Sequence, residues 1–289
     1  MVFLKICVVG LGEVGLATAI YVLNKGFDVY GYDISIHAIE RAKKLGINAS
    51  IKWIDVPKSD VYIICVSTLL KEGMFPDVSP VFDVAEKIAR ISDRNTLVSI
   101  ESTIVPGTSR KIFNTIFHGN VKLVHVPHRY WRGDPVRYGV KQHRVIGAIN
   151  NKSLDAGLYF YKDTLDIPLH VVSSIEVAEM CKIAENAYRY VQIAFAEELR
   201  MICESIGLNF EEVRRACNTK WNIEILEARN GIGGHCLPKD IRYVIYLYPN
   251  SVLLKAAIEA DKRYREWLKN RSQKTPATGT SIDLLRNLF

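Results

Sequence analysis

The first 172 residues alternate short apolar segments with amphipathic ones, and this alternation constrains the fold more than any other feature. The apolar segments are rich in valine and isoleucine, which is typical of parallel strands covered on both faces. The segments between them, such as VGLATAIYVLNKG and SPVFDVAEKIARI, have helical spacing. The pattern predicts an α/β fold with a mostly parallel, doubly wound sheet and helices on both faces. The six predicted strands are LKICVVG, FDVYGYD, DVYIICVS, NTLVSIES, VKLVHVP and HRVIGA.

The pattern changes after PLHVVSS, where helical spacing replaces the strand-like segments. From Ile175 to about Leu208 there is no proline, and the first glycine is Gly207, which predicts one long helix ended by a C-capping glycine. A shorter helix follows, with Asn209 as its N-cap, and SVLLKAAIEADKRYREWLKNR predicts another long one. We therefore expect an all-helical second domain built on the first long helix. The predicted divisions are residues 1–172, 173–272 and a tail at 273–289.

Composition and charge argue against several classes of protein. No run of about 18 apolar residues is present, and the start MVFLKICVVGLG lacks the regions of a signal peptide. We therefore expect a cytoplasmic protein without membrane contact. The net charge is +7, but basic and acidic residues are interleaved, which favours phosphate-bearing small molecules over nucleic acid as partners. The six cysteines include no CxxC pair, so no metal site is expected.

The segment VVGLGEVG has the G-x-G-x-x-G spacing of a dinucleotide-binding loop. It follows a predicted strand and opens a predicted helix, and Asp33 ends the next strand. Gly10 would make the tight turn, Gly12 would let a pyrophosphate reach the helix N-terminus, and Gly15 would permit close helix–strand packing. Asp33 would accept hydrogen bonds from the adenosine ribose and would repel a 2′-phosphate. The sequence therefore predicts a Rossmann-type domain that binds NAD rather than NADP.

Two polar residues on the long predicted helix, Lys182 and Asn186, are four positions apart and share one face. Beside a bound nicotinamide, the lysine could take a proton from an alcohol. The asparagine could orient that alcohol or stabilise a developing oxyanion. On spacing alone, an amphipathic helix with two solvated polar residues is the simpler explanation.

The segment NGIGGHCLPKD is predicted to be a loop, because Gly231, Gly233 and Gly234 lie too close together for a helix. An exposed Cys236 thiol near a lysine would be suited to nucleophilic attack. With NAD it could trap an aldehyde as a thiohemiacetal, lose a second hydride and leave a thioester for water to hydrolyse. Asp240 could position that water. A buried structural cysteine near a turn is the alternative.

These motifs together resemble the UDP-glucose/GDP-mannose dehydrogenase family, the nucleotide-sugar 6-dehydrogenases. GIGGHCLPKD resembles its cysteine motif, and AEMCKIAENAYRYVQIAFAEEL resembles its central-domain helix. VVGLGEVGLATAIYVLNKGFDVYGYD, CVSTLLKEGMFPDVSPV and IESTIVPGTSRKIF are similar to its cofactor-binding segments, although Ser67 replaces the usual proline before Thr68. The GGHC sequence is closer to that of the UDP-N-acetylmannosamine and UDP-N-acetylglucosamine dehydrogenases. The LPKD sequence is closer to that of the UDP-glucose and GDP-mannose enzymes.

The resemblance implies an NAD-dependent, four-electron oxidation of the C6 alcohol of a nucleotide sugar to the carboxylate, as in polysaccharide biosynthesis. The family dimerises through its central domain, so we expect a homodimer through the Ile175–Leu208 helix. The implied catalytic residues are Cys236, Lys182, Asn186, Asp240 and Thr103. The implied cofactor-binding residues are Gly10, Gly12, Glu13, Val14, Gly15, Asp33, Val66, Ser67, Thr68, Ser102 and Thr103.

Three departures from the family pattern stand out. His128 occupies the place of a glutamate that the family links to thioester hydrolysis. It could serve as a base near neutral pH and act as a sixth catalytic residue, or the second oxidation could be lost. Family members continue into a third, nucleotide-gripping domain, so we expect a separate nucleotide-binding subunit, a substrate without a nucleotide, or a longer natural chain. Glu197 stands where the family usually has asparagine, with no predicted consequence.

Two other functions compete with this one. The β-hydroxyacid dehydrogenases pair a Rossmann domain with a helical domain and share the lysine–asparagine helix, but they do not explain the Cys236 segment. A catalytically incomplete homologue that binds NAD and a partner protein is favoured by His128. The presence of Lys182, Asn186 and Asp240 together with Cys236 opposes it.

Overall fold

The computed structural model describes residues 4–71 and 75–273, and the chain divides into two compact units, Met1–Ile183 and Ala184–Phe289. The first unit is built on an eight-stranded sheet. In chain order, the strands are β1 (Lys5–Val9), β2 (Asp28–Tyr32), β3 (Asn48–Ser50), β4 (Val61–Ile64), β5 (Leu69–Leu70), β6 (Pro76–Asp77), β7 (Leu97–Ile100), β8 (Lys122–His125), β9 (Arg144–Ala148) and β10 (Leu169–Val171).

The strand order of the sheet is β10-β9-β8-β7-β4-β1-β2-β3, and β5 pairs with β6 apart from it. All neighbours in the large sheet are parallel except β8 and β9, which are antiparallel. The predicted doubly wound α/β sheet is confirmed, and all six predicted strands are present. β3 and β10 are absent from the prediction, because each has only three residues, of which two in β3 and one in β10 are polar. So short a segment has no readable period.

Helices cover both faces of this sheet. Along β1, Ile6 and Val8 face one apolar core while Cys7 and Val9 face the other, as the period of two in a strand requires. Both cores are fully excluded from solvent at these positions, which explains why the strand segment is apolar throughout. The helices of the first unit are α1 (Glu13–Asn24), α2 (Ile36–Lys44), α3 (Ser79–Ala89), α4 (Thr108–Thr115) and α5 (Asn151–Leu158), with a 3₁₀ turn at Trp53–Asp55 and a π-helix at Tyr159–Thr164.

The long predicted helix is α6, Ile175–Ser205, and it belongs to both units. The division between the two units falls within α6, after Ile183. The start of α6 packs on the sheet, where Ile175 is part of the core. The second unit is otherwise helical. Gly207 has the positive φ of a helix C-cap, and the side chain of Asn209 caps the following helix, both as predicted. The remaining helices are α7 (Phe210–Cys217), α8 (Cys236–Leu247) and α9 (Val252–Gln273).

The predicted loop at NGIGGHCLPKD is only partly a loop, because α8 begins at Cys236. The glycines end at Gly234, and Pro238 lies in the first helical turn, where a proline costs no hydrogen bond. Cys236 therefore starts a helix. Most of the predicted tail lies outside the described residues, which end at 273.

The part of the chain that the structure describes lacks two features. No helix within 4–71 or 75–273 is long and apolar enough to cross a membrane. No group of three or more histidine, cysteine, aspartate or glutamate side chains in these ranges is placed to hold a metal ion.

Candidate active site

The glycine-rich loop between β1 and α1 is packed so tightly that side chains do not fit at two positions. Gly10 has φ +91°, and a Cβ added there would lie 2.7 Å from the carbonyl carbon of Cys65. A Cβ at Gly15 would lie 1.8 Å from the carbonyl oxygen of Gly10. These are the turn and the close helix packing that the motif requires.

The start of α1 has room for a phosphate. Its N-cap, Gly12, is exposed, has no atom within 4 Å of an added Cβ, and offers no capping side chain. The first-turn amides therefore remain available to an anion, which the helix dipole also favours. This geometry fits the pyrophosphate of NAD. Of the other two predicted residues here, Val14 is half-buried and Glu13 is exposed, with its carboxylate 2.5 Å from Arg132.

Asp33 joins this loop to the end of β2. Its Oδ2 accepts a hydrogen bond from the Leu11 amide at 2.6 Å, and its Oδ1 accepts one from the Ser35 amide at 2.8 Å. Each carboxylate oxygen has a second lone pair, so the predicted acceptance of ribose hydroxyls is compatible with these bonds. The supporting role in the loop was not part of the sequence prediction.

The segments that follow β4 and β7 lie at the same sheet edge as the glycine-rich loop, because β7, β4, β1 and β2 are parallel neighbours. The chain runs from β1 to one side and later returns to the other, so this edge is a topological switch point, where α/β sheets bind ligands. Ser102 Oγ donates to the Val66 carbonyl, and Thr68 Oγ1 donates to the Thr103 carbonyl, both at 2.7 Å. Ser67 is exposed. The edge thus gathers all the predicted cofactor-binding residues.

Glu179 on α6 is a buried carboxylate that sequence reasoning missed. It accepts hydrogen bonds from the amides of Gly107 at 2.6 Å and Ser109 at 2.8 Å, and so caps α4. Burial raises the pKa of this carboxyl above its ordinary value, and the amide bonds oppose the shift. The contact fixes α6, one turn before Lys182, against the segment that carries Thr103. Its sequence signal was weak, because a glutamate three residues before a lysine is common on helices.

Replacing Glu179 with glutamine is expected to destabilise the protein by about 1–3 kcal/mol. The amide retains one acceptor oxygen, so one buried backbone donor loses its partner. Urea unfolding measures the loss. The control is Glu176→Gln, one turn earlier on α6, where the carboxylate meets the half-exposed Arg110 and a loss below about 1 kcal/mol is expected. Equal losses in the two variants would contradict the capping role.

His128 is buried in a polar cluster beneath the sheet edge. Its Nε2 lies 2.9 Å from Nη2 of Arg144, 3.0 Å from the Thr18 hydroxyl and 3.4 Å from the Glu101 carboxylate. Burial, followed by the charges of Arg144 and Lys182, lowers the pKa of His128 well below its usual value, so the ring is neutral. Two groups that can only donate face the ring: Arg144 at Nε2, and the Tyr130 amide at 3.3 Å from Nδ1. A neutral ring accepts at one nitrogen only, and the shorter contact favours Nε2 as the acceptor. The nitrogen that would take up a proton is therefore already engaged.

The same cluster contains a fully buried ion pair that the sequence did not reveal. Arg144 Nη1 lies 2.9 Å from Oε1 of Glu101, and both side chains have no exposed area. The hydroxyl of Tyr161 donates to the same carboxylate at 2.7 Å. The segments that follow β7 and β8 are thus joined to the first residue of β9 through buried polar groups.

Lys182 is half-buried on α6 in the first unit. Its charge contributes to lowering the pKa of His128 and of His125, whose pKa falls to about 3 mainly through burial. The ammonium group therefore lies within electrostatic reach of the end of β8. Asn186 follows one helical turn later on α6, in the second unit.

In the second unit, Asn186 and Asp240 are in contact. Asn186 Nδ2 donates to Asp240 Oδ2 at 2.5 Å, and Asp240 has no exposed area. Lys239 Nζ lies 2.6 Å from Asp240 Oδ1 and 4.2 Å from the centre of the Tyr243 ring. This lysine, which was predicted to assist the thiol, is thus paired with Asp240. Cys236 is exposed and lies one turn before Asp240 on α8.

Comparisons with known proteins identify the family. The model of the NAD-binding domain of the UDP-glucose/GDP-mannose dehydrogenase family matches residues 41–165, and the model of its central domain matches residues 176–263. The UDP-N-acetyl-D-mannosamine dehydrogenase of Methanococcus vannielii is 33% identical, over 92% of this chain and 67% of its own length. The chain belongs to the UDP-glucose/GDP-mannose dehydrogenase family. The resemblance drawn from the sequence is thereby confirmed.

Two further relatives support this family assignment. The structure of the UDP-D-ManNAc dehydrogenase from Pyrococcus horikoshii matches with a TM-score of 0.83 and 30% identity, over 92% of this chain and 70% of that one. The NDP-N-acetyl-D-galactosaminuronic acid dehydrogenase of Ralstonia nicotianae is 29% identical, over 93% of this chain and 71% of its own length. The chain is an NAD-dependent nucleotide-sugar dehydrogenase, with NAD as its cofactor.

Proposed function

We propose that this dehydrogenase oxidises the C6 primary alcohol of a UDP-N-acetylhexosamine to the carboxylate, with Cys236 as the nucleophile. The observation that carries the proposal is an exposed thiol one helical turn from the buried Asp240–Asn186 pair. A thiol, a carboxylate and an amide are the groups that thioester formation and hydrolysis need. The relatives named UDP-N-acetyl-D-mannosamine dehydrogenases support this substrate class.

Each residue has a task in this scheme. When bound, NAD accepts a hydride in each of two oxidations. Lys182 takes the proton of the alcohol, and Asn186 orients its oxygen. The Cys236 thiol adds to the resulting aldehyde, and loss of the second hydride leaves a thioester on Cys236. Water then releases the carboxylate and returns the thiol.

Two further residues orient the attacking water and the substrate oxygen in this scheme. Asp240 orients the attacking water, and the Thr103 hydroxyl donates to the substrate oxygen. The predicted base role of His128 in hydrolysis requires Arg144 to release Nε2. Loss of the second oxidation is the alternative, in which the aldehyde would be the product.

The test compares initial rates of NADH formation with excess NAD and a panel of UDP-N-acetyl-D-mannosamine, UDP-N-acetyl-D-glucosamine, UDP-glucose and GDP-mannose. We expect a UDP-N-acetylhexosamine to give the highest kcat/KM. A preference for UDP-glucose or GDP-mannose would overturn the proposed substrate. Absence of NADH with every sugar would overturn the activity of this chain alone. Cytoplasmic location and a role in polysaccharide biosynthesis remain predictions.

A homodimer through α6 is part of the proposal. Tyr188, Phe195 and Ile202 are spaced by seven residues on α6 and are 65%, 54% and 51% exposed. This spacing places them on one face, and an apolar stripe of this kind is typical of a helix–helix interface. The indole of Trp221, in the same unit, is 92% exposed.

Replacing Phe195 with aspartate is expected to convert the dimer to a monomer, because a charge at the centre of the stripe would be buried without a partner. Light scattering coupled to size exclusion measures the mass. The control is Glu198→Gln, at an exposed position three residues along α6, which should leave the mass unchanged. A wild-type protein that is monomeric would contradict the proposed interface.

A further inference from the structure

Glu197, near the middle of α6, has no exposed area. Neither of its carboxylate oxygens accepts a hydrogen bond from any donor among the described residues. A buried carboxylate without donors is unfavourable as an anion. Burial, followed by the neighbouring Asp261 carboxylate, raises the pKa of Glu197 to about 8. Glu197 is therefore mostly protonated at neutral pH, and its own proton can be donated to Asp261.

Asp261 on α9 accepts hydrogen bonds from several other groups. Its Oδ1 accepts from the Ile232 amide at 2.7 Å, and its Oδ2 accepts from the Tyr190 hydroxyl at 3.1 Å. Arg265 Nε lies 3.0 Å from Oδ1 and 3.1 Å from Oδ2. Three hydrogen-bond donors therefore face the Asp261 carboxylate.

The loop that precedes Cys236, residues 230–235, is attached to α9 through this carboxylate. The Ile232 amide donates to Asp261, and the Ile232 carbonyl accepts from Arg265. A Cβ at Gly231 would lie 2.8 Å from Cγ of Arg265, so the backbone must approach this side chain closely. One glycine of the motif therefore serves contact with α9.

We propose that protonated Glu197 is a positioning residue, which holds Asp261, and through it the loop 230–235, in place before Cys236. When Glu197 ionises at higher pH, its carboxylate repels that of Asp261. It also becomes a second hydrogen-bond acceptor for Arg265. Both changes weaken the attachment of Ile232. The importance of this positioning for catalysis rests on the proposed role of Cys236.

Several other titratable or charged groups face this pair. Arg265 favours ionisation of Glu197, whereas Tyr190 reaches only Asp261. Burial raises the pKa of Tyr264, three residues along α9, and ionised Glu197 adds to that shift. Arg200 Nη1 lies 2.9 Å from the Tyr264 hydroxyl. Neither tyrosine titrates at neutral pH, and both arginines stay charged. Glu197 is thus the group of this cluster that changes charge near pH 8.

The first test is the pH dependence of thermal unfolding. The folded pKa of Glu197 lies above the unfolded one, which is near 4.5. Its stabilising contribution is therefore complete below that unfolded value and is lost as pH rises to about 8. Between those limits we expect the wild-type midpoint to fall by about 5 °C or more relative to Glu197→Gln. Glu198→Gln, the exposed neighbour, should follow the wild type. Parallel curves for wild type and Glu197→Gln would overturn the proposal.

The second test reads the loop directly and needs neither NAD nor substrate. The rate of Cys236 alkylation by iodoacetamide is followed by mass spectrometry of its peptide. The ratio of wild-type to Glu197→Gln rates should be close to unity near pH 6 and should rise by about threefold or more near pH 9, as the loop opens. A constant ratio would overturn the proposal. Because this readout is independent of NADH formation, the positioning role and the proposed function can fail separately.

If Glu197→Gln does not fold, the proposal is tested by proton release from the wild-type protein. Unfolding at about pH 7.5 should then release a proton from Glu197, which a dye in weakly buffered solution detects. The neutral, buried His125 and His128 take up little at that pH, since it exceeds their unfolded pKa. Absence of proton release would overturn the proposal.

Discussion

Cys236→Ser is expected to reduce carboxylate formation by about 10³-fold or more. A serine hydroxyl is a far weaker nucleophile than a thiol near neutral pH, so the aldehyde is not trapped for a second oxidation. NADH formation should then stop at one equivalent or fewer per sugar. Product analysis by mass spectrometry, alongside NADH absorbance, measures both effects.

The matched control is Cys217→Ser, at an exposed cysteine on α7 in the same unit. It lies outside the proposed catalytic residues and should retain wild-type rates. A Cys236→Ser variant that still forms carboxylate within about tenfold of wild type would contradict nucleophilic catalysis by Cys236. It would also reopen the β-hydroxyacid type of reaction, which needs no thiol.

Glu101→Gln is expected to destabilise the protein by about 3–5 kcal/mol, because it leaves the Arg144 guanidinium without its buried counter-charge. Neither side chain has exposed area, and their atoms are 2.9 Å apart. The neutral His128 beside them cannot supply a negative charge. The free energy of unfolding in urea measures the loss.

A second variant tests whether the loss comes from the uncompensated charge of Arg144. Glu101→Gln combined with Arg144→Met should be less destabilising than Glu101→Gln alone, since no uncompensated charge remains. Asp83→Asn is the exposed control: its ion pair with Lys87 on α3 is 65% exposed on the aspartate side, so a change below about 1 kcal/mol is expected. A loss for Glu101→Gln as small as the control's would contradict the role of the ion pair.

Local patterns predicted most of the fold and pointed to the candidate residues of the site. The glycine-rich loop was recognisable because strand, turn, helix and Asp33 follow one another within a short segment. Lys182 and Asn186 were recognisable because helical spacing is a local property. Their distribution over two compact units was not predictable from that spacing.

Long-range contacts could not be predicted in this way. Glu179 meets the α4 N-terminus, and Arg144 meets Glu101, across 70 and 43 positions of sequence. Nothing near these residues in the chain indicates the partner, because packing of the sheet and helices brings them together. The same holds for Glu197, whose consequence becomes visible only when Asp261 is found beside it.

The segment around Cys236 was predicted correctly in one part and incorrectly in another. Its glycines predicted a loop at 230–235, which the structure contains, but the helix that starts at Cys236 was missed. Once the glycines end, LPKDIRYVIYL has ordinary helical spacing. A proline in the first turn is compatible with a helix start, so the boundary could have been placed correctly.

We propose that this chain oxidises a nucleotide sugar twice, from the alcohol to the carboxylate. The most direct test of this proposal is the amount of NADH formed from a limiting, known amount of UDP-N-acetyl-D-mannosamine with NAD in excess, together with the identity of the product. The account predicts two NADH per sugar and the uronic acid. One NADH with release of the aldehyde would contradict it.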